Sequence, residues 1–236
     1  GLVTNAETGE PLENANVFLS FTTIGASTSD AGRYLLAGIP PGKYDLVASL
    51  LGFQRRTVRV DVFARDTAVL DVRLTPQLLE ASPVEVTAGP DTAWERSSEQ
   101  FREIFIGTSD FASECAILDP AAVDFVLRSD SLFARDDRLL TIENRALGYR
   151  VRLSLADFAW DLRRNSGHFL FYPLFESLPD SGEAARWASN RERAWRGSIR
   201  HFFRSLLAGE TEAESFRMTS GSLARRVIND LELIGK

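Results

Sequence analysis

Histidine and cysteine, two residue types that often bind metals or take part in proton transfer, are scarce: the 236 residues include only two histidines and one cysteine. His168 is predicted on a strand and His201 on a helix, and each is typical of a partly buried imidazole rather than of a metal ligand. Cys115 cannot form an internal disulfide or a multi-cysteine zinc site, and the apolar residues 116–118 favour a buried, inert thiol. We therefore predict no metal centre, no cofactor and no catalytic residue.

Arg191 breaks the local sequence pattern most clearly. Apolar residues at spacings of three, four or eight predict a long amphipathic helix over 183–208, with Trp187, Trp195 and Phe202 on its apolar face. At roughly 100° per residue, Arg191 projects from that same face. A guanidinium group stays charged and is costly to bury alone, so Arg191 is expected to have a partner or a ligand.

Two hypotheses account for Arg191. The first is a buried ion pair with a carboxylate such as Glu176 or Asp157. The second is an anion-binding site, formed by Arg191, Asn190, Arg200 and His201. Five arginines on the opposite stripe of the helix are interpreted as solvated, or as partners of acidic residues in a sheet, rather than as a phosphate or polysaccharide site: Arg186, Arg193, Arg196, Arg200 and Arg204.

No catalytic motif accompanies these residues, since the sequence has no GxSxG elbow, no GxGxxG fingerprint and no Walker loop. Asp136 and Asp137 lie in a polar stretch and are interpreted as solvated. A hydrolase stays open as an alternative, with its site between a C-terminal sheet and the arginine-rich helix. A pocket that holds His201 or His168 beside a carboxylate would favour that alternative over a binding module.

The overall charge argues against polyanionic partners. The chain has 33 acidic and 27 basic residues, a formal charge of −6. Neither nucleic acid nor an anionic membrane surface is therefore expected as the general partner. No apolar run approaches the about 20 residues that span a bilayer, so no membrane insertion is expected. The length and the 44% hydrophobic content suit one small and one medium core.

The first third of the chain alternates apolar and other residues with the period of two that predicts β-strands. Val17 and Leu19 alternate with Phe18, and the runs 57–62 and 68–74 repeat the pattern. Glycine and proline between these runs predict turns, because glycine can take a positive φ and proline presets a turn dihedral. Gly32 and Gly42 are both expected at tight turns where a Cβ would be strained.

The motifs TGEPL, NANVFL and STSDAGRYLLAGIPPGKYDLVASLLGF follow one another over Thr8–Phe53. In this order they resemble the carboxypeptidase regulatory-like domain, over roughly residues 1 to 80. The resemblance implies a seven-stranded, transthyretin-like β-sandwich and a non-catalytic module of a secreted or cell-envelope protein. Gly1 resembles the middle of the family's first strand, so an upstream signal peptide is expected, with a periplasmic, outer-membrane-associated or extracellular location.

The later part of the chain predicts a second domain. Residues 78–93 lose the alternation, and they are interpreted as a last edge strand at 84–87 followed by a linker. A helix over 94–106 is expected to end at Gly107, and strands are expected between residues 123 and 175, with a turn at Asn165-Ser166-Gly167. Asp180 and Ser181 are candidates to cap the long helix, and Gly209 to end it.

The predicted fold class is therefore two domains: an all-β transthyretin-like sandwich over 1–81, a linker over 82–93, and an α+β domain over 94–236 with an antiparallel sheet and a long amphipathic helix. The segments IENRALGYRVRLSLADF, FLFYPLFESL and NRERAWRGSIRHFFRSL resemble an uncharacterised region that follows this module in bacterial envelope proteins. We predict a non-catalytic binding or assembly module, whose partner is another envelope protein or a glycan. The alternatives are the hydrolase and an anion or glycan receptor.

Overall fold

The fold is mostly β, with three α-helices in the described part of the chain. The computed structural model describes residues 1–64, 67–77, 92–180 and 182–217. It divides into two compact units, Gly1–Leu178 and a second that starts at Pro179. The predicted edge strand at 84–87 lies outside the described residues, as does most of the predicted linker at 82–93. The domain boundaries proposed from the sequence therefore stay predictions.

The N-terminal region is a small two-layered β structure. Strands β2, β3, β4 and β5 form an antiparallel sheet in the order β3-β2-β4-β5, and β1 pairs in parallel with β6. Val17, Leu46 and Leu74 are among the residues buried between these layers. The six strands are β1 (Val3–Asn5), β2 (Asn16–Leu19), β3 (Gly25–Ser27), β4 (Gly42–Ser49), β5 (Arg56–Val62) and β6 (Val72–Leu74).

The two glycines predicted at tight turns differ. Gly32 has a φ of +68°, and a Cβ added to it would lie 2.6 Å from the carbonyl oxygen of Val3, so that prediction is confirmed. Gly42 instead begins β4 and pairs with Val62, and its φ is not in the left-handed region. The prediction for Gly42 is wrong because the turn is made earlier, at Gly38, whose φ is +69°.

The following region, still within Gly1–Leu178, forms a six-stranded antiparallel sheet with the order β7-β10-β11-β9-β8, in which β12 pairs with β11. Strands β11 and β12 form a long hairpin whose turn contains Asn165 at φ 48°, as the sequence predicts. The strands are β7 (Cys115–Ile117), β8 (Val123–Arg128), β9 (Ser131–Asp136), β10 (Leu140–Asn144), β11 (Tyr149–Asp161) and β12 (Ser166–Ser177).

One face of this sheet is covered by helix α1 (Thr92–Ile106). Phe101 of α1 is 1% exposed and contacts Phe125 and Phe158 of the sheet, with ring centres 5.4 and 5.0 Å apart. Such tilted and edge-to-face contacts stabilise beyond the area that they bury. The helix ends before Gly107, whose φ is +82°, so the stop predicted from the sequence is confirmed.

Part of the opposite face packs against the N-terminal β structure. Phe18 and Val47 are fully buried in a cluster with Leu139 and Leu174 of the second region. Strand alternation places Phe18 away from the N-terminal core, and this second sheet is what buries it. The two regions predicted as separate domains therefore share an apolar contact.

The long helix predicted over 183–208 is wrong, because the structure has two helices, α2 (Ala184–Trp195) and α3 (Ile199–Ala208). Gly197 has a φ of +77°, which breaks the helix, and the Ser198 hydroxyl accepts a hydrogen bond from the His201 N–H at 3.1 Å. That bond is an N-cap, so it starts a new helix. Gly209 ends α3 with a φ of +72°, as predicted.

The start of α2 differs from the predicted cap. Asp180 accepts a hydrogen bond from the Gly182 N–H at 2.9 Å, and the residue at the cap position is Glu183, without a side-chain cap bond. Ser181, the other predicted cap, lies outside the described residues. Within the described ranges, no helix combines the length and the apolar character needed to cross a membrane.

Candidate functional site

A cleft of about 490 Å³ lies between the β4–β5 connection and the six-stranded sheet, entirely within Gly1–Leu178. Phe53 and Arg55 come from the N-terminal side of the cleft, and strands β8, β9 and β11 supply the other side. Its volume falls in the range of small-molecule and peptide pockets. The apolar cluster around Phe18 and Leu174 joins the same two β layers outside the cleft.

The floor of the cleft is apolar and open to solvent. Val126 and Phe133 are cross-strand partners on β8 and β9, and they are 40% and 37% exposed. The Arg128 guanidinium lies 5.9 Å from the centre of the Phe133 ring, within cation–π range. Asp124 and Arg135, the cross-strand pair two positions away on the same strands, put opposite charges beside this floor.

A buried ionic network closes one end of the cleft. Asp136 lies 3.2 Å from the Arg55 guanidinium and is 6% exposed at its side chain, while Arg55 is 22% exposed. The second Asp136 carboxylate oxygen accepts hydrogen bonds from the Leu155 N–H at 2.7 Å and from the Ser154 hydroxyl at 3.1 Å. Arg55 also contacts the Ser154 hydroxyl oxygen. The network therefore joins the N-terminal β structure to β9 and β11.

Burial raises the pKa of Asp136 above its ordinary value, and the Arg55 charge and the hydrogen bonds from Leu155, Ser154 and Arg55 offset part of that rise. Both carboxylate oxygens already have partners, so Asp136 holds structure rather than presenting a free acid or base. The interpretation of Asp136 as a solvated residue is wrong. The period-two burial of Leu132 and Ala134 in β9 was the signal that Asp136 would also be drawn inward.

The residues that line the cleft are charged, polar and apolar. They include arginine, aspartate and serine side chains but no histidine or cysteine. Elsewhere, no cluster of three or more histidine, cysteine, aspartate or glutamate residues that could hold a metal ion occurs in the described ranges. Cys115 is half-buried and donates to the Phe111 carbonyl at 3.3 Å, and burial raises the pKa of its thiol.

A second pocket, of about 670 Å³, lies within the unit that starts at Pro179. His201 is 11% exposed at its side chain, and its ring centre lies 5.5 Å from that of Trp195 and 4.8 Å from that of Phe216. Its Nε2 lies 3.0 Å from a carboxylate oxygen of Glu214, and its Nδ1 accepts from the Gly197 N–H at 3.2 Å.

These two contacts define the state of the His201 ring. A nitrogen that accepts from a backbone N–H carries no proton, so the neutral ring has its proton on Nε2 and donates it to Glu214. Both ring nitrogens are occupied. His201 therefore ties the break between α2 and α3 to the segment containing Glu214, and neither nitrogen is free to take a proton from a substrate.

The four residues of the predicted anion site are not brought into one pocket. His201 lines the 670 Å³ pocket, together with Arg196 and Arg204, whereas Asn190, Arg191 and Arg200 are not part of its lining. Asn190 is buried and accepts from Arg193 at 3.4 Å. Arg191 is half-buried and Arg200 is exposed. An anion site centred on Arg191 stays a prediction.

The carboxylates suggested as partners of Arg191 have other contacts. Glu176 lies 3.5 Å from the Arg152 guanidinium, and Asp157 lies 2.9 Å from His168 Nε2. The His168 and Asp157 side chains are 68% and 55% exposed, so this pair lies on open surface rather than in a pocket. The carboxylate that would face Arg191 in a buried ion pair stays a prediction.

Three arginines of the predicted stripe make contacts with residues of the same compact unit. Arg186 lies 2.7 Å from Glu183, Arg196 pairs with Glu192 one helical turn away, and Arg204 lies 5.9 Å from the Trp195 ring centre. The two ion pairs have the i,i+3 and i,i+4 spacings of an exposed helix surface, whereas the Arg204–Trp195 contact joins α3 to α2. They are the contacts of a solvated face.

Comparison with protein families identifies the N-terminal region. Residues 1–75 match the model of the carboxypeptidase regulatory-like domain, which confirms the resemblance seen in the sequence motifs. A search of curated proteins found no match to the chain.

Two solved structures from Bacteroides are similar to the chain over most of its length. One is a DUF3823 family protein from Bacteroides ovatus ATCC 8483, with 16% sequence identity and a TM-score of 0.25, covering 76% of this chain and 81% of that chain. The other is a candidate membrane-associated protein of unknown function from Bacteroides fragilis NCTC 9343. Its identity is 13% and its TM-score 0.24, with coverage of 77% of this chain and 82% of that chain.

Proposed function

Because residues 1–75 form a carboxypeptidase regulatory-like domain, we propose that the chain is a non-catalytic binding or assembly module of a bacterial cell-envelope protein. The partner is another envelope protein, and it docks in the 490 Å³ cleft. The location is the periplasm, the outer membrane surface or the cell exterior, as expected for modules of this family.

The observation that carries the proposal is that the buried charged residues of the cleft are paired within the chain while its apolar residues stay exposed. Its buried ionic group, Arg55 with Asp136, is saturated by contacts inside the chain. Its apolar floor, Val126 and Phe133, is left about two-fifths exposed. Apolar side chains surrounded by charged ones are typical of the centre and rim of a protein interface.

The charges beside the floor favour a protein partner over a glycan or a simple anion. Asp124 and Arg135 are adjacent, and Arg138 lies 2.8 Å from Asp137, so both signs of charge occur around the floor. A surface with both signs selects a partner by complementary placement of charges rather than by net attraction. Glycan recognition and anion recognition are the alternative outcomes of the test below.

The hydrolase alternative has one observation in its favour, the His201–Glu214 pair in a pocket. An imidazole beside a carboxylate is the arrangement that would orient a general base. Against it, His201 Nδ1 accepts the Gly197 N–H and Nε2 faces Glu214, so the ring serves the local fold. The binding module is therefore the better-supported function.

The test is site-specific photo-crosslinking of the full chain in its source bacterium. A photoreactive residue at Val126, in the cleft, is compared with one at Leu35, which is 77% exposed on the N-terminal β structure outside the cleft. We expect one discrete protein adduct from position 126 and none from position 35. Phe133→Asp, introduced with the crosslinker at 126, should abolish the adduct while the far-ultraviolet circular dichroism stays unchanged.

Three outcomes would overturn the proposal. Adducts of equal yield from both positions would indicate random collision. A glycan in place of a protein adduct would move the function to polysaccharide binding. Turnover of ester, phosphate or glycoside substrates that is lost in His201→Ala but kept in His168→Ala would establish the hydrolase.

A further inference from the structure

The outer edge of strand β12 is covered at one end and open at the other. The Phe21 N–H donates to the Pro173 carbonyl at 2.8 Å, and the Phe175 N–H donates to the Thr22 carbonyl at 2.9 Å. Thr22 thereby forms a parallel bridge to Leu174. The covered part of the edge therefore begins at Pro173. Proline has no N–H, so this residue has no backbone donor on the outer side of the strand.

Alternation along β12 defines which backbone groups face the open edge. Since Pro173 and Phe175 use their outward groups for the contacts with residues 21 and 22, the outward groups upstream belong to Phe171, Phe169 and Gly167. No backbone hydrogen bond from another described residue reaches these three residues on that side. Phe169 and Leu170 are 39% and 50% exposed, and Gly167 and His168 are also exposed.

Open edges of this kind are normally protected by lysine, proline, a bulge or a covering segment. The open stretch Ser166–Tyr172 has the sequence SGHFLFY, which contains no proline, lysine, arginine, aspartate or glutamate. The bulge in this hairpin lies on β11, between Leu155 and Asp157, and not on the exposed strand. Among the residues that the structure describes, none pairs with the outer side of this stretch, so it can accept another strand.

We propose that this edge pairs antiparallel with the same edge of a second copy of the chain, which joins two six-stranded sheets into one. The proposal does not depend on the function assigned to the cleft, which is lined by other residues.

The limits of the open edge favour a second copy as the occupant. On one side the strand is ended by the turn at Asn165, with its φ of 48°, and on the other by the segment that covers Pro173. The open residues therefore run from Ser166 to Tyr172, and their midpoint is Phe169. A two-fold axis through Phe169 brings Ser166 opposite Tyr172, so that both copies clear the turn and the covering segment at once.

The side chains are complementary in this register. Phe169 lies opposite its own copy, which gives an aromatic cross-strand pair. Phe171 lies opposite Gly167, so a large ring faces a residue without a side chain, twice per dimer. The stretch carries no lysine, arginine, aspartate or glutamate, so no like charges oppose each other across the axis.

The first test is the mass of the full chain in solution. A seven-residue edge is a small interface, so we expect a concentration-dependent equilibrium in sedimentation between about 1 and about 300 µM rather than a permanent dimer. The average mass should rise from 26.2 kDa toward twice that value. Phe169→Pro removes an outward N–H and should leave a monomer, whereas Phe169→Leu keeps the N–H and should still dimerise. Circular dichroism checks that both variants fold.

The second test fixes the register by disulfide formation in a Cys115→Ser background. In the proposed pairing the two Phe169 Cα atoms are about 5.5 Å apart, as in a hydrogen-bonded antiparallel pair, and a disulfide can span this distance. Phe169→Cys should therefore form a covalent dimer on mild oxidation. Leu170→Cys is the matched control, because residue 170 lies opposite residue 168 and not opposite itself.

Each other result overturns the proposal. A mass of one chain at every concentration excludes the second copy, and a dimer that survives Phe169→Pro uses another surface. Equal disulfide yields at positions 169 and 170 would indicate collision without a defined register.

Discussion

Two kinds of charged contact can be compared, one taken from each compact unit. In Gly1–Leu178 the Arg55–Asp136 contact joins residues 81 positions apart, and the Arg152–Asn16 contact joins residues 136 positions apart. In the unit that starts at Pro179, Arg196 pairs with Glu192 four positions away, and their side chains are 73% and 62% exposed.

The difference shows where electrostatic contacts matter for stability. A pair within one helix can form as soon as the helix does, and exposure keeps its contribution small. A buried pair between layers depends on the folded structure, and each of its charges is costly to leave alone. Breaking the long-range pair should therefore destabilise the chain far more than breaking the local one.

The largest effect is expected for Arg55→Met. Asp136 would keep its buried position without the guanidinium, and the free energy of unfolding should fall by about 3 to 5 kcal/mol near neutral pH. The loss should shrink as the pH falls through the folded-state pKa of Asp136, which burial raises, because the protonated carboxyl group needs no cation. Urea unfolding at several pH values measures both the loss of stability and its pH dependence.

Arg59→Met is the matched control, because its contact with Asp45 is 3.4 Å long and the Arg59 side chain is 77% exposed. Its free energy of unfolding should stay within about 0.5 kcal/mol of the wild type. Equal losses in the two variants would mean that the Arg55–Asp136 network does not hold the layers together.

An intermediate effect is expected for His201→Ala. The Gly197 N–H would lose its acceptor, and Trp195 and Phe216 would lose a ring contact, at a cost of about 1 to 3 kcal/mol. Hydrogen exchange of peptides from residues 184–217, followed by mass spectrometry, locates the loss. His168→Ala is the control, since that side chain is 68% exposed. Similar exchange in both variants would contradict a structural role for His201.

A smaller effect is expected in the pH dependence of Asp136→Asn. Because burial raises the folded-state pKa of Asp136, its protonated form contributes stability that is fully present below the ordinary value of 3.8. That contribution is lost as the pH rises through the folded-state pKa. Asparagine cannot titrate, so the wild type should lose stability relative to the variant as the pH rises, and the difference should then level off. A difference that is flat across this range would mean that Asp136 is not desolvated.

The smallest effect is expected for Arg196→Ala, which removes the exposed pair with Glu192. The free energy of unfolding should change by less than about 0.5 kcal/mol, and 1 M salt should not change it further. Thermal melts with and without sulfate complete the test, because Arg196 also lines the pocket that holds His201. If sulfate raises the Tm of the wild type but not that of the variant, Arg196 belongs to an anion-binding site.

The local elements could be predicted closely from the sequence. Helix α1 and its stop at Gly107, the β11–β12 hairpin and the strands around Val17 and Leu46 follow from periodicity and turn chemistry, which act over a few residues. The errors are local too. Gly197 ends one helix and Ser198 caps the next. The sequence prediction missed this signal because the apolar spacing of the flanking residues continues across the break.

The candidate sites were predicted less well. Arg191 stood out because a helical pattern makes one misplaced charge visible, yet the pocket of its unit is lined by His201, Arg196 and Arg204 instead. Arg55 and Ser154 gave no signal, because an arginine after a turn and a serine in a strand are ordinary residues. Their role depends on Asp136, which is 81 positions from one and 18 from the other.

The amino-acid sequence alone therefore indicated most helices and strands, the family of the first 75 residues and the absence of familiar catalytic motifs. What required the folded chain was the burial of Phe18 by a second sheet, the capture of Asp136 by Arg55 and the open edge of β12. The physical reason is the separation along the chain over which each effect acts. Backbone propensity and side-chain periodicity act between neighbours, whereas desolvation and strand pairing depend on which distant residues the fold brings together.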